Sequence, residues 1–235
     1  MRKTIGILGG MGPMATADLF QKIVAWTDAA GDNDHIRVYI DSNASIPDRT
    51  AAILSGGEDP VPAMADALRH LELCGADCVV MPCNTAHYFL PRLEPLTKLP
   101  FLSMIKAAAA ACRERFPGKT AGILATAGTL ASGLYQEALA AEGVPFLVPD
   151  EGEQAALMEV IYQGVKAGAP PERYREAFLS VTRGLSGRGA ACFLLACTEL
   201  PLAFQALGLD FPHVDPTEEL AKAAIRFCGY AVRRS

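Results

Sequence analysis

Short apolar runs alternate with longer stretches of helical period along the whole chain. Ile5-Gly6-Ile7-Leu8-Gly9 is an unbroken run of strand length, which suits a parallel strand buried on both faces. Gly10-Met11-Gly12-Pro13 follows as a loop. Ala17, Phe20, Ile23, Val24 and Thr27 then recur at helical spacing and predict a helix over residues 14–29. A second strand is expected over 36–40. It runs into a long polar loop, residues 41–50, of a kind that often carries function. A helix over 61–74 leads to a third apolar run, which ends at Cys83. A helix or turn then reaches Leu96, Phe101 and Leu102 make a fourth short strand, and the alanine-rich residues 105–115 form a helix.

The pattern then starts again. Thr120-Ala121-Gly122-Ile123-Leu124-Ala125-Thr126-Ala127-Gly128 resembles Thr4-Ile5-Gly6-Ile7-Leu8-Gly9-Gly10-Met11-Gly12 at a shift of 116 positions. Residues 130–141 repeat the first helix and 146–148 the second strand, and helices are expected over 153–166 and 172–185. At a shift of 114, Ala76-Asp77-Cys78-Val79-Val80-Met81-Pro82-Cys83 lies on Ala190-Ala191-Cys192-Phe193-Leu194-Leu195-Ala196-Cys197, so Cys78 falls on Cys192 and Cys83 on Cys197. Pro212-His213-Val214-Asp215-Pro216 matches the region of Pro100, and a last helix should cover 217–232. Such a slowly drifting shift is what small deletions leave in a duplicated sequence. Strands alternating with helices predict an α/β fold of two similar domains, each a short parallel sheet flanked by helices. The two should be related by a pseudo-twofold axis, with the active-site cleft between the carboxyl ends of their strands.

Composition narrows the function classes. The 235 residues are 51% apolar and 20% charged, and the net charge of -5 supplies no basic field for nucleic acid. No apolar stretch approaches the roughly 20 residues of a membrane span, so no membrane partner is expected. The start, Met1-Arg2-Lys3-Thr4, runs straight into a strand and leaves no room for a signal peptide, which predicts a cytoplasmic location. Seven cysteines, an odd number in a reducing compartment, read as thiols rather than a disulfide frame.

Gly10-Met11-Gly12-Pro13-Met14-Ala15 fits a dinucleotide fingerprint with alanine in last place, but the ribose-binding acid is missing, since Asp41 lies 29 positions past Gly12. A tight turn offering N–H groups to a small anion is the reading preferred. Cys74, Cys78, Cys83 and His87 cluster within fourteen residues without a Cys-x-x-Cys knuckle, so no metal is expected. Cys78 and Cys192, inside apolar strands, should be buried and inert, and Cys74, Cys112 and Cys228 fall on helices as core residues. Cys83 and Cys197 differ from these five. A thiol past a strand and at a helix start meets the positive end of the helix dipole, which should lower its pKa. Asn84, Thr85, Thr198 and Glu199 place polar groups beside the two. Two like thiols facing one another suit the transfer of a proton from one face of a carbon to the other. Racemisation is thermodynamically near neutral, so its two bases should be alike.

Four segments carry a resemblance that spans the chain in order. They are Gly6-Ile7-Leu8-Gly9-Gly10-Met11-Gly12-Pro13, Ile46-Pro47-Asp48-Arg49-Thr50, Met81-Pro82-Cys83-Asn84-Thr85-Ala86-His87 and Ala196-Cys197-Thr198-Glu199-Leu200. Together they resemble the aspartate racemase branch of the aspartate/glutamate (Asp/Glu/hydantoin) racemase superfamily. The resemblance implies a cofactor-independent, PLP-independent two-cysteine isomerase that interconverts L- and D-aspartate, or glutamate or other amino acids. It implies Cys83 and Cys197 as the paired acid/base residues, a small dicarboxylate amino acid as substrate, and a homodimer. It also implies crossovers near Leu99 and Leu209, giving domains of residues 1–98 plus 210–235 and of residues 99–209. By position, Asn84, Thr85 and Thr198 resemble donors to the α-carboxylate, Arg49 a side-chain carboxylate receptor and Lys166 a second cation. Met11, Thr126 and Glu199 complete the expected substrate-binding set. Gly9-Gly10 stands where glutamate racemases carry Asp-Ser, which favours the aspartate branch.

Two other readings compete. One is maleate cis-trans isomerisation with Cys83 as nucleophile. The other is anion binding without catalysis on the same two-domain frame.

Overall fold

The computed structural model describes residues 2–234, and the chain divides into two compact units, residues 1–107 with 217–235 and residues 108–216. The first unit opens with β1 (Ile5–Gly9), α1 (Pro13–Trp26), β2 (Val38–Ser42), α2 (Arg49–Leu54) and α3 (Val61–Cys74). It continues with β3 (Cys78–Val80), α4 (Leu90–Leu93), β4 (Phe101–Leu102) and the start of α5 (Met104–Arg115). The second unit carries β5 (Ala121–Ala125), α6 (Ala127–Ala131), α7 (Leu134–Ala141), β6 (Phe146–Leu147) and α8 (Glu151–Glu159). Then come α9 (Arg175–Gly187), β7 (Cys192–Ala196), α10 (Glu199–Leu207) and β8 (His213–Val214). The closing helix α11 (Pro216–Phe227) returns the chain to the first unit.

Each unit holds a four-stranded sheet, ordered β2-β1-β3-β4 and β6-β5-β7-β8, in which every strand pair is parallel. Parallel neighbours need crossovers, and the helices between them supply these. β1 and β5 are buried at every position, which explains why they read as continuous apolar runs. The helices show one apolar face each: α1 buries Ala15, Leu19 and Ile23, one per turn, while its other side meets water. In the first unit Leu8, Met64, Leu68, Leu71 and Val79 centre one core. In the second, Leu124, Phe178, Val181, Leu195 and Phe204 centre another.

Several elements differ from the pattern. The expected helix over 130–141 is two helices, because Gly133 takes φ of 71° and breaks the run between α6 and α7. The polar stretch 41–50 ends in α2, whose N-cap Asp48 accepts from Ala51 N–H at 2.8 Å. The helix expected over 153–166 keeps its α form only to Glu159 and continues as a π-helix over Val160–Val165. The last helix stops at Phe227, and Val232 instead forms an antiparallel bridge with Thr27. Cys74 is exposed, not core, because α3 turns it away from the buried face of Met64, Leu68 and Leu71.

Gly10 stands where the chain leaves β1, with φ of 91°. A Cβ there would lie 2.3 Å from the backbone carbonyl of Asn43. Both the backbone conformation and the space demand glycine, so Gly10→Ala is expected to lower the unfolding free energy by about 3 kcal/mol. Urea titration of the variant beside the parent checks this; an unchanged midpoint would refute it.

Candidate active site

The switch point of each sheet places the candidate groups. From β1 the chain steps outward to β2 and then back across to β3, and the second unit repeats this at β5 and β7. In open parallel sheets such a point, at the carboxyl ends of the strands, leaves a crevice that ligands use. Cys83 lies just past β3 and Cys197 directly past β7, and both are buried. The parallel register pairs Ala125 with Ala196, so Thr126 and Cys197 leave the second sheet side by side.

In the first unit, Cys83 sits in a tight turn where its N–H donates to Met81 carbonyl at 2.8 Å. Asn84 and Thr85, both buried, start the 3-10 helix Thr85–Phe89. The Met104 N–H donates to His87 Nε2 at 3.3 Å, which places the ring proton on Nδ1, and Nδ1 donates to the Cys83 carbonyl at 2.9 Å. Burial, opposed by the bond to the Cys83 carbonyl, pushes the imidazole down from 6.5 to about 4. Arg49 is also buried. Its Nη1 donates to the carbonyls of Ile46 and Pro47 at 3.1 and 2.9 Å, and its Nη2 to that of Met11 at 3.2 Å. Arg49 is therefore no solvated loop residue but a fixed positive charge beside the Met11 backbone.

In the second unit, Cys197 Sγ donates to Glu199 Oε2 at 3.0 Å, and Thr198 Oγ1 donates to the same oxygen at 3.2 Å. The other carboxylate oxygen lies 3.4 Å from Lys166 Nζ, which also stands over the Tyr162 ring. Glu199 opens α10, where the helix dipole favours its charge. Burial, followed by the Glu199 carboxylate, pushes the Cys197 thiol well above its ordinary value, with Lys166 opposing. The sequence expectation of a lowered pKa is corrected here for Cys197: burial, joined by a neighbouring carboxylate, outweighs a helix start. Thr126 caps α6, accepting from Thr129 N–H at 3.2 Å.

Two residues of the second unit were not among the expected site residues. Burial first, then Cys112, Asp215 and Cys197, pushes the phenol of Tyr135 well up and keeps it neutral. Asp215, buried, follows β8 directly. The Pro-His-Val-Asp-Pro repeat was the available clue to it. Elsewhere, Cys78 and Cys192 are buried as expected. Burial moves Cys192 up to about 11, and a hydrogen bond with Cys228, then burial, raises Cys78. Among the described residues no group of three or more His, Cys, Asp or Glu side chains could hold a metal ion. No helix among them is long and apolar enough to cross a membrane.

Two parallel sheets of the same strand order, each followed at its switch point by a buried thiol, define a duplicated α/β protein. The sequence matches the Asp/Glu/Hydantoin racemase family over residues 8–224, and the chain belongs to that family. The broad specificity amino-acid racemase RacX of Bacillus subtilis is 26% identical over 229 residues, covering 94% of this chain and 96% of its own. The structure of Picrophilus torridus aspartate racemase superposes with a TM-score of 0.87 at 33% identity, covering 98% of this chain and 96% of that one. Glutamate racemase from Francisella tularensis, in complex with D-glutamate, shares the fold at a TM-score of 0.65 and 18% identity, over 96% and 81% of the two chains. Family membership supports a racemase, an isomerase acting on small amino-acid substrates.

Proposed function

We propose that this protein is a cofactor-independent amino-acid racemase that interconverts L- and D-aspartate, with Cys83 and Cys197 as its two acid/base groups. One observation carries the reading: each sheet, at its switch point, places a buried thiol shortly after an inner strand, within the same duplicated segment. A thiolate removes the α-proton from one face of the substrate carbon, and the opposite thiol delivers a proton to the other. The Cys197 thiol, held neutral beside Glu199, starts as the proton donor in one direction. In the reverse direction Glu199 Oε2, 3.0 Å from Sγ, is placed to take that proton first.

The dicarboxylate preference rests on Arg49 and Lys166, one cation in each unit, since guanidinium and ammonium groups match carboxylates. Asn84, Thr85 and Thr198 are the proposed donors to the α-carboxylate. The relatives named above, an aspartate racemase and a broad specificity amino-acid racemase, lend the substrate class its support.

The test is incubation of L- and D-aspartate in D2O, read by chiral chromatography and mass spectrometry. Deuterium in the α-position with formation of the opposite enantiomer is the expected result. Failure to exchange any acidic amino acid would sink the proposal. A thioether adduct of maleate on Cys83, without such exchange, would mark the protein as a cis-trans isomerase instead.

A further inference from the structure

His87 lies four residues after Cys83, and everything about its setting suits a clamp rather than an acid or base. Its ring is buried, is held neutral, and has both nitrogens engaged, Nδ1 on the Cys83 carbonyl and Nε2 on the Met104 N–H. A regular helix would satisfy the Cys83 carbonyl through its own backbone. The second unit does so: the Cys197 carbonyl accepts the Leu200 N–H at 2.9 Å. In the first unit the turn after Cys83 is 3-10, and the His87 N–H goes to the Asn84 carbonyl at 3.1 Å. The Cys83 carbonyl is taken by the imidazole of His87 in place of a helical N–H. At the shift that lays Cys83 on Cys197, His87 falls on Pro201, which has no ring donor to offer.

A peptide unit is planar, with its C=O and N–H pointing oppositely. Fixing the Cys83 carbonyl on His87 therefore fixes the direction of the Asn84 N–H as well. The Cys83 N–H is tied to Met81, so the backbone groups on both sides of the Cys83 Cα are held. We propose that His87 is a positioning residue: through the Cys83–Asn84 peptide plane it sets the orientation of the Cys83 thiol and of Asn84, anchoring both to the start of α5. This rests on the reading of Cys83 as an acid/base group. Small displacements of a reacting group are costly, with about 1 Å worth about 100-fold in rate.

The side chains that separate positioning from packing are asparagine and glutamine. Asparagine keeps a donor where Nδ1 stands, facing the Cys83 carbonyl, while glutamine reaches only toward the place of Nε2, facing Met104. His87→Asn is expected to hold kcat within about 3-fold of the parent, and His87→Gln to lower it about 30-fold or more and to raise KM, because Asn84 turns with the same peptide plane. Alkylation of Cys83 by iodoacetamide, read by mass spectrometry in a Cys197→Ser background, should follow the same order. Equal effects of the two substitutions, activity that merely tracks melting temperature, or failure of both variants to fold would overturn the proposal and leave the ring as core packing. Cys83→Ser, assayed alongside, separates the two ideas. If it keeps full turnover, the acid/base reading itself fails; if it is inactive while His87→Gln matches the parent, only the clamp fails.

Discussion

Serine at position 83 or at position 197 is expected to lower aspartate racemisation by about 10³-fold or more, equivalent to about 4 kcal/mol of barrier. The substitution changes one atom and keeps the shape of the side chain, so the surrounding core should persist. A hydroxyl is far harder to ionise than a thiol, and the base is lost. The informative part lies in what survives. Each variant retains one of the two acid/base cysteines and should therefore still exchange the α-proton of a single enantiomer with solvent, without inversion. The enantiomer that exchanges should be opposite in the two variants. Proton NMR in D2O with each pure enantiomer reads this directly. Two variants that exchange the same enantiomer, or that racemise at the parental rate, would contradict the two-base assignment.

Acid is expected to weaken the folded state through His87. The folded ring titrates at about 4, against 6.5 when free of the fold. Between those values the unfolded chain binds a proton that the folded chain refuses, so stability rises with pH across the window. His87's contribution is complete above about 6.5 and is lost as the pH falls to about 4, for a total of about 3 kcal/mol. Asp59, lowered chiefly by its hydrogen bond to Arg92, titrates below 3.8, so its loss comes later and does not confuse the slope. Urea unfolding at a series of pH values between 7 and 4 should show the decline. His87→Asn, which has no titrating ring, should flatten it; a parallel slope in that variant would remove His87 as the cause.

The sheets were readable because strands buried on both faces leave nothing but apolar side chains in a row, as at Ile5–Gly9 and Cys192–Ala196. The duplication showed because the same runs recur with their cysteines in register. The strand ends beside Cys83 and Cys197 followed from that alone. What stayed hidden depends on partners distant in sequence or on single backbone angles. Helical spacing carries no sign of Gly133 turning left-handed, nor of the ladder slipping into a π-turn at Val160. The raised thiol of Cys197 comes from desolvation, which a string of letters does not report, and from a carboxylate two residues on whose side-chain direction sequence leaves open. His87 stood out only as a possible metal ligand. Its two bonds, one local and one reaching Met104, turn it into a different kind of residue.

The division of the chain has a consequence for the order in which the protein is made. The second unit, residues 108–216, is a single continuous stretch, complete as soon as it has left the ribosome. The first unit is emitted early, yet it lacks α11 and the bridge between Thr27 and Val232 until residues 216–232 arrive. Since chains emerge from the amino end and domains fold as units, the part begun first is the part finished last. A chain truncated at Pro216 and released would therefore hold every strand of both sheets, with Cys197 and Glu199 inside a second unit of full length, and a first unit without its last helix.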